Sequence, residues 1–228
     1  LNGKVGLRLE QVAFAYPDGK RMILDGFSYD FKPGSRTAIL GETGAGKTTL
    51  FRLILALISP QAGTITLYNQ EESVPLSIDT RCNLVYVPQG NSLWSGTIRE
   101  NLLLGNPQAT DVEMRRVLQI AAADFVFELP EGLDTVCAEQ GGGLSEGQAQ
   151  RIAIARSLLH RGAILLFDEF SSSLDEDTEE RLMRNLVTEL PERTMLFITH
   201  RHRIVAYCDR VLTIHRLKNA ITDKPINS

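Results

Sequence analysis

The chain has 228 residues, 43% of them hydrophobic, with 24 lysines and arginines against 28 acidic residues and a net charge of −4. That length and apolar share suffice for one large domain, or for a main lobe with a small companion. The mild acidity excludes a broad basic footprint for nucleic acid, a local patch aside.

Cys82, Cys137 and Cys208 are the three cysteines. They stand far apart without zinc-ligand spacing, and their odd number speaks against a disulfide framework, so they read as thiols of a reducing compartment. The longest apolar runs, Leu53 to Ile58 and Ala163 to Phe167, fall short of the roughly 20 residues that span a bilayer. No secretory signal is present. The chain starts at Leu1 rather than Met, so it reads as cut from something longer, and a membrane domain in the native polypeptide stays open.

Taken in order, Leu7 to Tyr16 is strand-like. Phe27, Tyr29 and Phe31 alternate with polar neighbours before the Lys32-Pro33-Gly34 turn, which predicts an antiparallel sheet at the front of the chain. Then the pattern changes. Thr37 to Leu40, Asn83 to Val87, Ile164 to Phe167, Met195 to Ile198 and Val211 to Ile214 are short continuous apolar runs, the mark of parallel strands covered on both faces by helices. Helices are predicted over Thr48 to Ile58, Val112 to Ala122, Gly147 to Leu159 and Thr178 to Leu190. The last carries Leu182, Met183, Leu186, Val187 and Leu190 on one stripe. The stretch from about Ser92 to His160 is mostly helical and reads as a lobe inserted into the sheet domain. Leu217 to Ser228 looks polar and loosely organised. No internal repeat or sustained heptad is found.

Gly41, Glu42, Thr43, Gly44, Ala45, Gly46, Lys47 and Thr48 fit G-x-x-x-x-G-K-[ST] in full, between an apolar strand and an apolar helix that continues through Thr49. The glycines let backbone amides turn around phosphates, and the helix N-terminus adds partial positive charge. Lys47 would reach the β- and γ-phosphates, and the Thr48 hydroxyl would ligate Mg²⁺. Asp168 ends an apolar strand and would hold the Mg²⁺ shell. Glu169 follows it and could polarise the attacking water. Leu144-Ser145-Glu146-Gly147-Gln148 precedes a helical run, so amides near Ser145 and Gly147 would make a second anion site.

The pairing of this phosphate loop with Leu144 to Gln148 about a hundred residues later resembles the nucleotide-binding domain of ABC (ATP-binding cassette) transporters, over nearly all of the chain. The fold implied is an α/β P-loop NTPase (RecA-like) parallel-sheet core with an amino-terminal antiparallel β-subdomain. Residues 1–91 and 161–228 would form that ATP-binding lobe, and residues 92–160 the inserted helical subdomain that carries the signature. The resemblance further implies that Tyr16 stacks on adenine and that Gln89 senses Mg²⁺ and links to the membrane domain. It implies too that Ser173-Leu174-Asp175 works across a dimer and that His200 contacts the γ-phosphate. Ser145, Gly147 and Gln148 would serve the nucleotide of a second cassette, so the implied cofactors are ATP and Mg²⁺, and the implied partners are a second cassette, as homodimer or heterodimer, and a transmembrane domain.

Gly96 to Asn101 followed by Leu104-Gly105 resembles exporter-type cassettes, usually fused behind a six-helix membrane domain at the cytoplasmic face of the cell (inner) membrane. Two departures stand out. Around Glu139 the exporter pattern T-x-x-G-E-x-G loses its first glycine, with Ala138 in that place, and Glu146 stands where the family usually has glycine. Glu146 either points to solvent or marks one half of an asymmetric pair. Trp94 fits either a half-buried core aromatic or a coupling contact. A soluble ABC-type ATPase acting on DNA or ribosomes is the alternative, but neither long coiled coils nor a second cassette is present. Glu169 and His200 speak against a non-hydrolysing regulatory cassette.

Overall fold

The computed structural model describes residues 1–17, 21–90, 92–137, 143–215 and 221–225, the side chains at 221 and 222 excepted. In chain order, β1 (Gly6–Phe14), β2 (Leu24–Phe31) and β3 (Arg36–Gly41) lead into α1 (Lys47–Ile54), β4 (Ala62–Tyr68) and β5 (Ser73–Pro75). There follow β6 (Leu84–Val87), β7 (Gly96–Thr97), α2 (Ile98–Leu103), α3 (Asp111–Ile120), β8 (Val136–Cys137) and α4 (Glu146–Leu158). The chain continues through β9 (Ile164–Asp168), α5 (Glu176–Glu189), β10 (Thr194–Ile198), α6 (His202–Val205), β11 (Arg210–Ile214) and β12 (Ile221–Pro225). Two compact units emerge, one of Leu1–Leu84, Gly162–Leu166 and Glu192–Ser228, the other of Val85–Arg161 and Phe167–Pro191.

In the first unit an antiparallel sheet runs β2-β1-β4-β5. Its alternation is the one the sequence announces: Phe27, Tyr29 and Phe31 of β2 are buried, and Phe27 and Phe31 lie opposite Val12 and Leu7. A bulge interrupts β1 between Leu9 and Val12, where Gln11 takes φ 50 and donates its amide to Ser28 Oγ at 2.8 Å. The larger sheet has the order β12-β11-β3-β10-β9-β6. β3 pairs in parallel with β10 and with β11, and β12 pairs antiparallel with β11. Leu50, Phe51, Leu53 and Ile54 of α1 join Leu7, Leu9, Ile39, Ile198 and Leu212 in one buried cluster. Each such side chain contributes about 1.5–3 kcal/mol by leaving water.

Two helices end earlier than their apolar pattern predicts, and for one reason. Past α1, Ala56 sits at φ 51, its amide reaching the Leu53 carbonyl at 3.0 Å while Leu57 N reaches Arg52 O at 2.9 Å. Past α3, Ala122 sits at φ 54, with Ala123 N on Leu118 O at 2.8 Å and Ala122 N on Gln119 O at 3.1 Å. Both are Schellman terminations. Glycine normally announces them, and alanine hides them from a reader of the sequence. The tail differs too: Ile221–Pro225, read as loosely organised, forms β12. Asp223 accepts from the Tyr29 hydroxyl at 3.2 Å and pairs with Arg210, partners that local composition cannot reveal.

In the second unit α4 is buried nearly all round, through Ala149, Ile152, Ala153, Ile154, Ala155 and Leu158, as befits a helix with neighbours on several sides. α5 keeps one stripe, with Leu182, Met183 and Leu186 buried. Its Asn185 donates to the Gln119 carbonyl at 2.9 Å, adding a side-chain bond to the one that this carbonyl accepts from Ala122 N at the end of α3. Arg99 ties α2 to Asp111 at 2.5 Å and to Asp134 at 2.8 Å. The stretch predicted as mostly helical also contains the short antiparallel pair β7-β8, with Gly96 opposite Cys137.

Candidate functional site

In the first unit β3 delivers the chain at Gly41 into the loop that opens α1. Gly41 cannot carry a side chain, because an added Cβ would lie 2.5 Å from the Ile214 carbonyl oxygen, with φ at +151°. Gly46 occupies the N-cap at φ 108 with no side-chain cap, and no acidic residue stands in the first turn. The first amides of α1 therefore have no acceptor within the helix and no capping side chain. Lys47 is buried, and its Nζ donates to the carbonyls of Gly41 at 2.6 Å and Glu42 at 3.0 Å. The ammonium thus curls over its own loop. Glu42, Thr43, Gly44 and Thr48 are exposed, while Ala45, Gly46 and Thr49 are buried. A helix start without a side-chain cap, its positive end and a held ammonium suit a polyphosphate.

Thr49 turns away from that loop. Its hydroxyl lies 3.3 Å from the Tyr16 hydroxyl, which also accepts from Arg52 at 3.0 Å. The Thr49 contact, ahead of the Arg52 one, holds the Tyr16 phenol below its ordinary pKa against the opposing effect of burial. The half-buried Tyr16 ring meets Phe14 edge-on at 5.0 Å and is thereby fixed beside α1. His200 is exposed just after β10. Because Ile198 lies beside Ile39 in a parallel pair, His200 leaves the sheet at the carboxyl ends of the strands, as the loop after β3 does, and open α/β sheets bind ligands outside those ends.

In the second unit Asp168 ends β9 and accepts from the Tyr86 hydroxyl at 3.0 Å. Glu169 follows at φ 44, a left-handed conformation that costs a side-chain-bearing residue about 1–3 kcal/mol and recurs at functional sites. Gln89 Nε2 lies 3.5 Å from Glu169 Oε2. The preceding Pro88 carbonyl accepts from the buried Gln150 of α4 at 3.3 Å. The geometry thus brings Gln89, Asp168 and Glu169 together. Gln150 and Tyr86, neither singled out by sequence reasoning, hold the surrounding backbone and carboxylate. A glutamine at an apolar position of α4 was the signal for Gln150.

Ser145 caps α4. Gln148 N donates to Ser145 Oγ at 3.1 Å and Ser145 N to Gln148 Oε1 at 2.9 Å, a reciprocal capping box. Ser145 and Glu146 are exposed. Gly147 has a steric reason to be glycine: an added Cβ would stand 2.9 Å from the Ser173 carbonyl oxygen. Asp175 caps α5 by accepting from Thr178 N at 2.9 Å, and that backbone bond lowers its carboxyl pKa. Behind the signature, Arg151 donates to Ala122 O at 2.6 Å and stacks over Phe125 at 4.8 Å, burial lowering its pKa. Trp94 is 70% exposed, not half-buried core, although Asn101 holds its backbone at 2.8 and 2.9 Å. Glu139 lies outside the described residues.

Among the described residues no group of three or more His, Cys, Asp or Glu gathers to hold a metal. The Thr48 hydroxyl in the first unit and the Asp168 carboxylate in the second are each a hard oxygen of the kind Mg²⁺ takes.

A family model described as ABC transporter matches residues 24–172. The chain is 37% identical over 215 residues to the mitochondrial iron-sulfur clusters transporter ABCB7 of Oryzias latipes, covering 94% of this chain and 29% of that protein. It is 34% identical over 214 residues to the mycobactin import ATP-binding/permease protein IrtB of Mycobacterium tuberculosis, covering 91% and 36%. Its fold is similar to that of a bacterial Atm1-family ABC exporter with ATP bound, with a TM-score of 0.85 and 36% identity over 95% of this chain and 38% of that one. The chain thus spans well under half the length of these relatives.

Proposed function

The chain belongs to the ABC transporter family, and from that membership we propose that it is the ATP-hydrolysing motor of an exporter-type transporter, working as one of two cassettes. The observation that carries the reading is the phosphate loop: an uncapped helix start behind Gly46, with Lys47 held over the loop carbonyls.

Lys47 and the loop amides would bind the β- and γ-phosphates, and Tyr16 would stack on adenine. Thr48 and Asp168, with Gln89, would hold Mg²⁺. When bound, that ion would neutralise charge on the phosphate oxygens. Glu169 would take the proton of the attacking water, and His200 would donate to the γ-phosphate. Gln89 is within reach of Glu169, which supports a role in orienting that base. Ser145, Gly147 and Gln148 would face the nucleotide of a second cassette, so that two chains close head to tail on two ATP molecules. Trp94, exposed on backbone that Asn101 secures, supports docking of a transmembrane domain near Gln89. The relatives are ATP-binding/permease proteins and transporters by description, which supports such a domain as partner and a place in a membrane transporter; the cassette would sit at the cytoplasmic face of that membrane.

Size-exclusion chromatography with light scattering on Glu169→Gln tests the reading. A monomer that becomes a dimer only with ATP and Mg²⁺ is expected, with hydrolysis reduced about 10²- to 10⁴-fold, the range of a general base. Normal hydrolysis by this variant would remove Glu169 from the base role. A persistent ATP-bound monomer would overturn self-pairing.

A further inference from the structure

Three of the four residues of β6 are buried, Leu84, Val85 and Val87, while Tyr86 is 39% exposed. The Tyr86 hydroxyl donates to Asp168 Oδ2 at 3.0 Å across 82 positions of sequence. Three residues on, Gln89 Nε2 lies 3.5 Å from Glu169 Oε2. One short segment therefore touches two successive acidic residues, each through a different neutral donor.

We infer that Tyr86 is a positioning residue for the metal-binding carboxylate: its hydroxyl sets the rotation of the Asp168 carboxyl group about its last torsion. This rests on the reading above that Asp168 serves the Mg²⁺ shell. The terminal torsion of an aspartate is broad and roughly two-fold, so its oxygens exchange places readily unless one is held. A hydroxyl that donates to one carboxylate oxygen, here at 3.0 Å, favours the rotation that keeps that oxygen facing it. Asp168 then presents the same oxygen to a cation each time one arrives, and Tyr86 acts through Asp168 without touching the ion. Packing does not require the hydroxyl. The ring is partly exposed, and phenylalanine would fill the same space. The hydroxyl is what a purely structural strand residue could lose without consequence for the metal.

The test compares the parent protein, Tyr86→Phe and Asp168→Ala. Mn²⁺ stands in for Mg²⁺ and is titrated by electron paramagnetic resonance in saturating ADP, where no hydrolysis occurs. Nucleotide affinity is measured separately in EDTA with a fluorescent ATP analogue. Tyr86→Phe is expected to weaken Mn²⁺ binding about tenfold, the low end for loss of a ligand's hydrogen-bond partner, with metal-free nucleotide affinity unchanged. Mn²⁺ binding as tight as in the parent, or tighter, would overturn the inference. So would weakening of Mn²⁺ and metal-free nucleotide together, which would make the hydroxyl a strut of the fold. Asp168→Ala separates the premise from the inference. If it loses Mn²⁺ while Tyr86→Phe does not, the positioning role alone falls. If it keeps Mn²⁺, the metal role of Asp168 falls and the inference with it.

Discussion

At α1 the first-turn amides have no side-chain cap: Gly46 precedes them in a left-handed conformation, and no acidic residue stands in the turn. At α4 the same positions are filled from within. The Ser145 hydroxyl takes the Gln148 amide, Gln148 reaches back to Ser145 N, and Glu146 places a carboxylate in the first turn. Both helix starts attract negative charge by their dipoles. The first leaves that attraction for a ligand and adds a lysine. The second spends part of it on its own stability and offsets more with Glu146. An end built like α1 can hold a polyphosphate alone. One built like α4 can complete a site only where a nucleotide is already held, as a signature facing a second cassette would require.

The two helix starts differ most at Lys47, which only α1 carries. Lys47→Ala is expected to lower steady-state hydrolysis at least 10²-fold, the cost of removing one charged donor from a phosphoryl-transfer site. A rate within tenfold of the parent would mean that the α1 amides suffice.

Gly147→Ala comes next, because the new Cβ must displace the Ser173 carbonyl 2.9 Å away. Overpacking of this kind costs about 1–3 kcal/mol. ATP-driven dimerisation, followed by light scattering in the Glu169→Gln background, should weaken about tenfold while nucleotide binding by the monomer holds. Loss of monomer binding as well would show that the two helix starts are not separable.

Ser145→Ala removes a cap worth about 1 kcal/mol, so the midpoint of thermal unfolding should fall by about 2–4 °C. An unchanged melting temperature would argue that the capping box is dispensable. The smallest effect belongs to Glu146→Gln, which removes only charge. Dimerisation should tighten about two- to five-fold at low salt, the equivalent of 0.3–1 kcal/mol at a helix end, and the gain should fade as salt rises. Weaker dimerisation would instead give Glu146 a favourable role in the closed pair.

Much of this was legible in the residues. The strands of the larger sheet that appear as unbroken apolar runs, β3, β6, β9, β10 and β11, lie within a residue or so of where those runs place them, because burial on both faces leaves little room for polar types. The phosphate loop and the capped start of α4 were equally plain, since both need particular side chains, or none, at fixed offsets. The early ends of α1 and α3 were not, because Ala56 and Ala122 occupy a left-handed position that alanine seldom takes. Nor was the left-handed Glu169, since a carboxylate after a strand says nothing about its own φ. β12 was hidden for another reason: Tyr29 and Arg210, which hold Asp223, are supplied by other strands.

By itself, then, the order of residue types determined the phosphate loop, the signature cap and the class of the fold, because each is a local demand for particular chemistry at short spacing. Only the tertiary structure decided that Tyr86 would meet Asp168 and Gln89 would approach Glu169, contacts 82 and 80 positions apart in the chain. Those meetings depend on which strands run side by side and where each strand stops, and no local pattern of side chains carries that information.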